Sequence, residues 1–210
     1  MAEVKHRCRL YFQFPAQPSA KLEAQLAQAI ATTDAACVLL CGDGTAVNED
    51  HAGRLIDLVQ ASGLACLIEH DAGLAERLGA DGLHIDAESE AYIAARKLLG
   101  ESANIGALCG LGRHDAMQLA ELGADYVAFG PKAESVIDAI DQYADLIAWW
   151  SEIFVVPCVA WNVETREEAA QLARLGADFV ALSPDIWLAD DATGRVAGIG
   201  FALREARSAA

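Results

Sequence analysis

Short, continuous apolar runs alternate along this chain with longer stretches in which apolar residues recur every three or four positions. Leu22, Leu26 and Ile30 form one such stripe, and Leu55, Ile56 and Val59 form another. The 3.6-residue period predicts amphipathic helices; the unbroken runs predict strands covered on both faces. Strands are predicted over 9–14, 37–41, 64–68, 82–85, 104–108, 125–129, 154–160 and 179–182. Helices are predicted over 20–32, from the Asn48 cap to Gly63, and over 71–78, 87–99, 113–122 and 134–150. Thr165 and Glu168 make a capping box for a seventh helix, and a less regular tail over 184–207 ends helically. Pro157 inside the seventh strand lacks an N–H, so it demands a bulge or an end position.

One phrase marks the joins. Leu78-Gly79-Ala80-Asp81, Leu122-Gly123-Ala124-Asp125 and Leu175-Gly176-Ala177-Asp178 each stand between a helical stripe and an apolar run. Glycine ends a helix because it takes the left-handed backbone without steric cost. Three copies of one helix-to-strand join point to repeated βα units. The alternation predicts an α/β fold, a (β/α)8 TIM barrel, as one domain over residues 1–210. The rival, a doubly wound open sheet, normally carries a glycine-rich phosphate loop after its first strand; Phe14-Pro15-Ala16 stands there instead.

A net charge of −16 argues against nucleic-acid partners, whose phosphates would be repelled. No apolar run reaches the roughly 18 residues of a membrane span, and no apolar signal region follows the charged N-terminus. The six cysteines contain no Cys-x-x-Cys pair and fall mostly in apolar runs, which fits reduced, buried thiols and a cytoplasmic location. The Trp149-Trp150 pair and Trp187-Leu188 are either core or a contact in a homo-oligomer.

A barrel of this kind works at the C-terminal ends of its strands. Those positions bring up Gln13, Cys41, Glu69, His70, Asp71, Asp86, Glu88, Cys109, Lys132, Trp161, Asn162, Ser183 and Asp185. Acids dominate, and Lys132 and Arg113 are the nearby cations. His70, Asp71 and Glu88 are candidate acid–base groups, and Asp71 and Asp86 candidate ligands of a divalent cation. The same acids also suit solvated loops. Cys41, Asp86, Cys109, Lys132, Trp161, Asn162 and Asp185 are candidates for contacting a small-molecule ligand. Cys41 and Cys109 near His70 would make a soft-metal site. His84, inside the fourth strand, is expected to be a satisfied interior histidine.

Leu67-Ile68, Gly79 to His84, Ile105-Gly106, Gly123 to Pro131, Pro157 to Ala160 and Gly176-Ala177-Asp178 together resemble thiamine phosphate synthase and its thiazole tautomerase relative. The resemblance spans most of the chain and implies the barrel, magnesium, and the joining of a pyrimidine diphosphate to a thiazole phosphate with release of pyrophosphate. It also implies particular site residues, and the chain departs from several. The second strand ends Leu39-Leu40-Cys41-Gly42-Asp43, where the family has an Arg and a Lys. Glu69-His70-Asp71 stands for Asn-Asp-Arg, and Ser89 for a metal-binding Asp. Leu108 and Gly110 replace a Ser and the tautomerase's His, and Lys132 leads into a helix without the family's threonine-rich loop. Trp161-Asn162 takes the place of two phosphate-binding glycines, while Pro184 removes an N–H and Asp185 adds a charge at the second phosphate place. The expectation from these departures is a diverged barrel in or near thiamine metabolism that binds a small neutral or cationic ligand, or regulates, without efficient transfer. Two alternatives stand beside it. One is a new metal-assisted or acid–base enzyme using His70, Asp71, Asp86 and Glu88; the other is an active thiamine phosphate synthase.

Overall fold

The computed structural model describes residues 7–42, 47–131 and 140–208. Eight parallel strands close into a barrel in sequence order, β1 (Arg9–Pro15), β2 (Ala35–Cys41), β3 (Ala65–Glu69), β4 (Gly82–Asp86), β5 (Asn104–Gly110), β6 (Tyr126–Phe129), β7 (Cys158–Val163) and β8 (Phe179–Leu182). Between them run α1 (Ala20–Thr32), α2 (Glu49–Ala61), α3 (Ala72–Leu78), α4 (Ser89–Leu99), α5 (Arg113–Glu121), α6 (Ile140–Ile153) and α7 (Arg166–Arg174). A short 3-10 turn, Pro184–Leu188, and α8 (Ala192–Ser208) follow β8. The (β/α)8 expectation is met.

The repeated Gly-Ala-Asp phrase has a physical job at the bottom of the barrel. Gly79, Gly123 and Gly176 all have positive φ, turning the chain out of α3, α5 and α7. The next residue closes the helix end: Ala80 N–H donates to Ala75 O, Ala124 to Leu119 O and Ala177 to Leu172 O. Each Asp then grips the strand before it at two points. The Asp81 N–H donates to Cys66 O at 2.8 Å, and its Oδ2 accepts from the Cys66 N–H at 2.7 Å. Asp125 does the same to Ile105, and Asp178 to Cys158. A carboxylate accepting a backbone N–H is a charge-assisted bond, so each clamp sets strand register beyond the ladder itself.

Period-two alternation splits the strands into two packed layers. Leu10, Phe12, Val38, Leu40, Cys66, Ile68, Leu83, Ile85, Ile105, Ala107 and Cys109 meet the helices. Tyr11, Cys37, Leu39, Cys41, Leu67, Tyr126, Ala128, Val159, Trp161 and Ala181 fill the barrel interior. Gly106 belongs to the inner set and makes room there: a Cβ on it would lie 2.1 Å from Cζ of Tyr126.

β7 and α4 begin later than expected. β7 starts at Cys158, after Pro157, and runs to Val163. Residues 154–156 instead link α6 to β7: Phe154 N–H donates to Trp150 O and its ring stacks on Trp150 at 4.0 Å. The proline thus takes the end position that its missing N–H requires. α4 starts at Ser89 rather than Ala87, because Glu88 holds the extended N-cap position. The beginning of the sixth helix over 134–139 lies outside the described residues. Trp150 and Trp187 are fully buried, so both are core; Leu188 stays exposed.

Candidate functional site

The strand ends build an open cleft of about 690 Å³ at the C-terminal face of the barrel. Its wall includes Gln13, Cys41, Gly42, Glu69, His70, His84, Asp86, Leu108, Pro131, Trp161, Asn162, Glu164, Ser183, Pro184 and Asp185. Lys132 and Asp43 lie outside the described residues. No Lys or Arg belongs to the described wall, whereas Glu69, Asp86, Glu164 and Asp185 do.

β3 ends at Glu69, and His70 turns the chain with φ of 59° while its N–H donates to His84 O at 2.8 Å. That turn leaves the His70 ring half exposed at the rim, with Nε2 4.0 Å from Glu69 Oε1. Glu69 points inward and accepts from the Gly42 N–H at 3.3 Å. Burial pushes the Glu69 carboxyl above the usual range; His70 and the Gly42 N–H oppose this, and the charge of Asp86 adds to it.

Four sequence expectations change here. Asp71 caps α3, its Oδ1 accepting from Leu74 N–H at 2.8 Å, and it is absent from the cleft wall. Glu88 is exposed at the start of α4 and is also absent from it. Cys109 has the wrong parity: it packs in the layer beneath the helices and its thiol donates to Ala107 O, while Leu108 faces the cleft. Cys41 reaches the cleft, with its thiol pushed well up by burial, then Glu69, but Cys109 faces away from it, so the two do not form the soft-metal pair. No group of three or more His, Cys, Asp or Glu residues suited to a metal occurs among the described residues.

His70, Asp86, Trp161, Asn162 and Asp185 do come together. Asn162 has φ of 58°, at the bulge where β7 slips against β8 between Ala160 and Val163. Its side chain ties two strand ends, accepting from Gln13 Nε2 at 2.8 Å and donating to Pro131 O at 3.1 Å. Trp187 Nε1 donates to Gln13 O at 2.7 Å, so β1, β6, β7 and the 3-10 turn are braced against each other. The turn places Pro184 at its first positions, where an N–H is absent.

The sequence reading missed the floor of the cleft. His84 is 1% exposed and stacks on Trp161 at 4.3 Å with the planes 10° apart. Its Nδ1 lies 2.8 Å from the Tyr126 hydroxyl, which lies 3.0 Å from the Tyr11 hydroxyl. Burial, and secondarily the nearby His70, lowers the imidazole to about 3. Its Nε2 has no partner among the described residues, so the expected satisfied histidine is only half satisfied there. Strand parity was the usable signal: His84 alternates with Gly82 and Asp86 on the inner face, and Tyr11 and Tyr126 share that face.

The family model described as thiamine monophosphate synthase matches residues 10–186. A thiamine-phosphate synthase of Rhodospirillum centenum (strain ATCC 51521 / SW) is 38% identical over 188 residues, covering 86% of this chain and 89% of that one. The thiamine-phosphate synthase of Erythrobacter litoralis (strain HTCC2594) is 37% identical over 153 residues, covering 69% of this chain and 72% of its own. Among solved structures, a thiamine phosphate pyrophosphorylase from Pyrococcus furiosus superposes with a TM-score of 0.78 at 16% identity, covering 97% of this chain and 99% of that one. At that identity the superposition speaks for the barrel alone.

Proposed function

Because the chain belongs to the thiamine monophosphate synthase family, we propose that it joins a pyrimidine diphosphate to a thiazole phosphate in the cleft at the barrel mouth. The observation that carries this is the 38% identity to a thiamine-phosphate synthase over 188 residues, nearly the whole length of both chains. It favours the active synthase over the diverged binder. The cleft supports it with an aromatic, uncharged floor suited to a heterocycle and an acidic rim above.

Magnesium is implied by the family, and the donor set fits it. Glu69 and Asp86 end neighbouring strands, close enough for the charge of Asp86 to act on Glu69. Magnesium is commonly held by one or two carboxylates with substrate phosphates completing the shell. Glu69 and Asp86 would hold the ion; Asp71, with one oxygen spent on its helix cap, is the weaker donor. Bound there, magnesium supplies positive charge to the leaving diphosphate. The chain itself contributes position and exclusion. Trp161 and His84 present a flat floor, Asn162 fixes the β6 and β7 ends, and His70 at the rim is the acid–base group. Lys132, next in sequence to the wall residue Pro131, is the proposed cationic contact for the diphosphate.

The test is direct. Purified protein given the pyrimidine diphosphate, the thiazole phosphate and magnesium should release pyrophosphate and form thiamine phosphate, and chelation should stop it. Binding of both substrates without product would sink the proposal.

A second reading rests on the four carboxylates and the lack of Lys or Arg in the described wall. It is a barrel that binds an uncharged or cationic precursor without transferring it. Trp161 offers an aromatic face for such a cation. Calorimetry separates the two: the binder prefers the uncharged pyrimidine precursor to its diphosphate, and the synthase the reverse when magnesium is present.

A further inference from the structure

His84 is held on one side only. Its Nδ1 meets Tyr126, its ring stacks on Trp161, and Nε2 is buried without a partner among the described residues. A buried polar atom left unpaired is costly, and native proteins seldom keep one without a use. The imidazole belongs to the wall of the cleft, so the natural place for the missing partner is a molecule bound there.

Counting protons fixes what Nε2 offers. A neutral imidazole has one N–H, and each tyrosine hydroxyl has one O–H. Among the described residues, Tyr126 is the hydrogen-bond partner seen for the Tyr11 hydroxyl. Suppose Tyr11 donates to Tyr126 and Tyr126 donates to Nδ1. Every hydroxyl proton is then used, and a single N–H at Nε2 faces the missing partner. Suppose instead that Nδ1–H donates to Tyr126 and Tyr126 to Tyr11. The Tyr11 proton is then stranded in the barrel interior, and Nε2 is a second unmet group. The first arrangement leaves one unmet atom and the second leaves two.

Resting on the family reading above, we propose that the Tyr11–Tyr126 pair locks His84 in its Nε2–H tautomer, and that this N–H donates to an acceptor atom on the uncharged heterocyclic part of the bound substrate. The acidic rim turns anionic groups away from this level of the cleft, which leaves a ring nitrogen or a neutral oxygen as the acceptor. Nε2 is enclosed in the wall, so the ring reaches it by displacing the wall atoms that cover it. His84 is in this sense a specificity-determining residue: it favours rings with an acceptor and rejects rings that present a donor.

Nitrogen-15 NMR of histidine-labelled protein tests both parts, with the uncharged pyrimidine precursor as the probe. The free protein should show the proton on Nε2, and saturation with the probe should move that Nε2–H resonance. His84→Gln, whose amide keeps an N–H near the Nε2 position, should bind the probe within a few-fold of wild type. His84→Asn, which keeps only the Nδ1 side, should bind about 3–10-fold more weakly, the range for one neutral hydrogen bond. In turnover the loss should fall on KM more than on kcat. Tyr126→Phe should release the tautomer lock and let the Nδ1–H form appear in the free protein. A proton on Nδ1 in the wild type overturns the lock. An unmoved Nε2 in protein that binds the probe and turns over overturns the substrate contact while leaving the synthase reading intact. Failure of the probe to bind at all counts against both the contact and that reading.

Discussion

His84 should make this fold sensitive to acid in a measurable way. The unfolded chain binds a proton there near the ordinary value of 6.5, whereas the folded chain refuses it until about 3. Between those limits the unfolded state carries more protons, so stability rises with pH and is lost as pH falls below 6.5. The slope is about 1.4 kcal/mol per pH unit. Between about pH 7.5 and pH 5 the loss from this one residue is therefore roughly 2 kcal/mol. That is a large share of the 5–15 kcal/mol that holds a typical domain together. Other groups titrate in the same range; Glu69, pushed up by burial, acts with the opposite sign above its ordinary 4.5. The comparison with His84→Gln removes them, since glutamine does not titrate. Urea unfolding of both proteins at about pH 7.5, 6 and 5 should give stability curves that diverge by roughly 2 kcal/mol, with the wild type falling faster. Parallel curves would refute the reasoning: either His84 is protonated in the folded barrel, or the cleft admits enough water to hydrate it.

Further outcomes follow from the same geometry. Asp71→Ala should remove the α3 cap and cost about 1 kcal/mol in urea unfolding, while leaving the affinity for the pyrimidine precursor unchanged. Gly106→Ala places a methyl 2.1 Å from the Tyr126 ring, so it should destabilise by about 3 kcal/mol and shift the His84 resonances as Tyr126 moves. Glu69→Gln and Asp86→Asn should each raise the magnesium concentration needed for half-maximal turnover by about tenfold or more, with little change in urea midpoint. Asn162→Gly keeps the left-handed backbone but loses the bonds to Gln13 and Pro131. It should therefore be milder in urea than Asn162→Ala, which adds about 1 kcal/mol of backbone strain to the same loss.

Much of the scaffold can be read from neighbouring residues alone. The alternation of apolar runs with 3.6-period stripes specifies eight strands and the helices between them, and the thrice-repeated Gly-Ala-Asp phrase specifies where helix passes to strand. These are local signals, since glycine ends a helix and an apolar run must be covered whatever surrounds it. The thiamine monophosphate synthase family match spans the same framework, over residues 10–186.

The site is another matter, because its members come from different strands and meet only when the barrel closes. Asp71 and Glu88 stand beside cleft residues in sequence, yet one caps a helix and the other is exposed at a helix start. Cys109 and Leu108 are adjacent, and the pleat sends one to the helices and the other to the cleft. Tyr11 and Tyr126 are 115 positions apart and share a hydrogen bond beneath His84. Closure of the eight-stranded ring brings those three side chains to one level in the interior, where a polar atom must find a partner or go without.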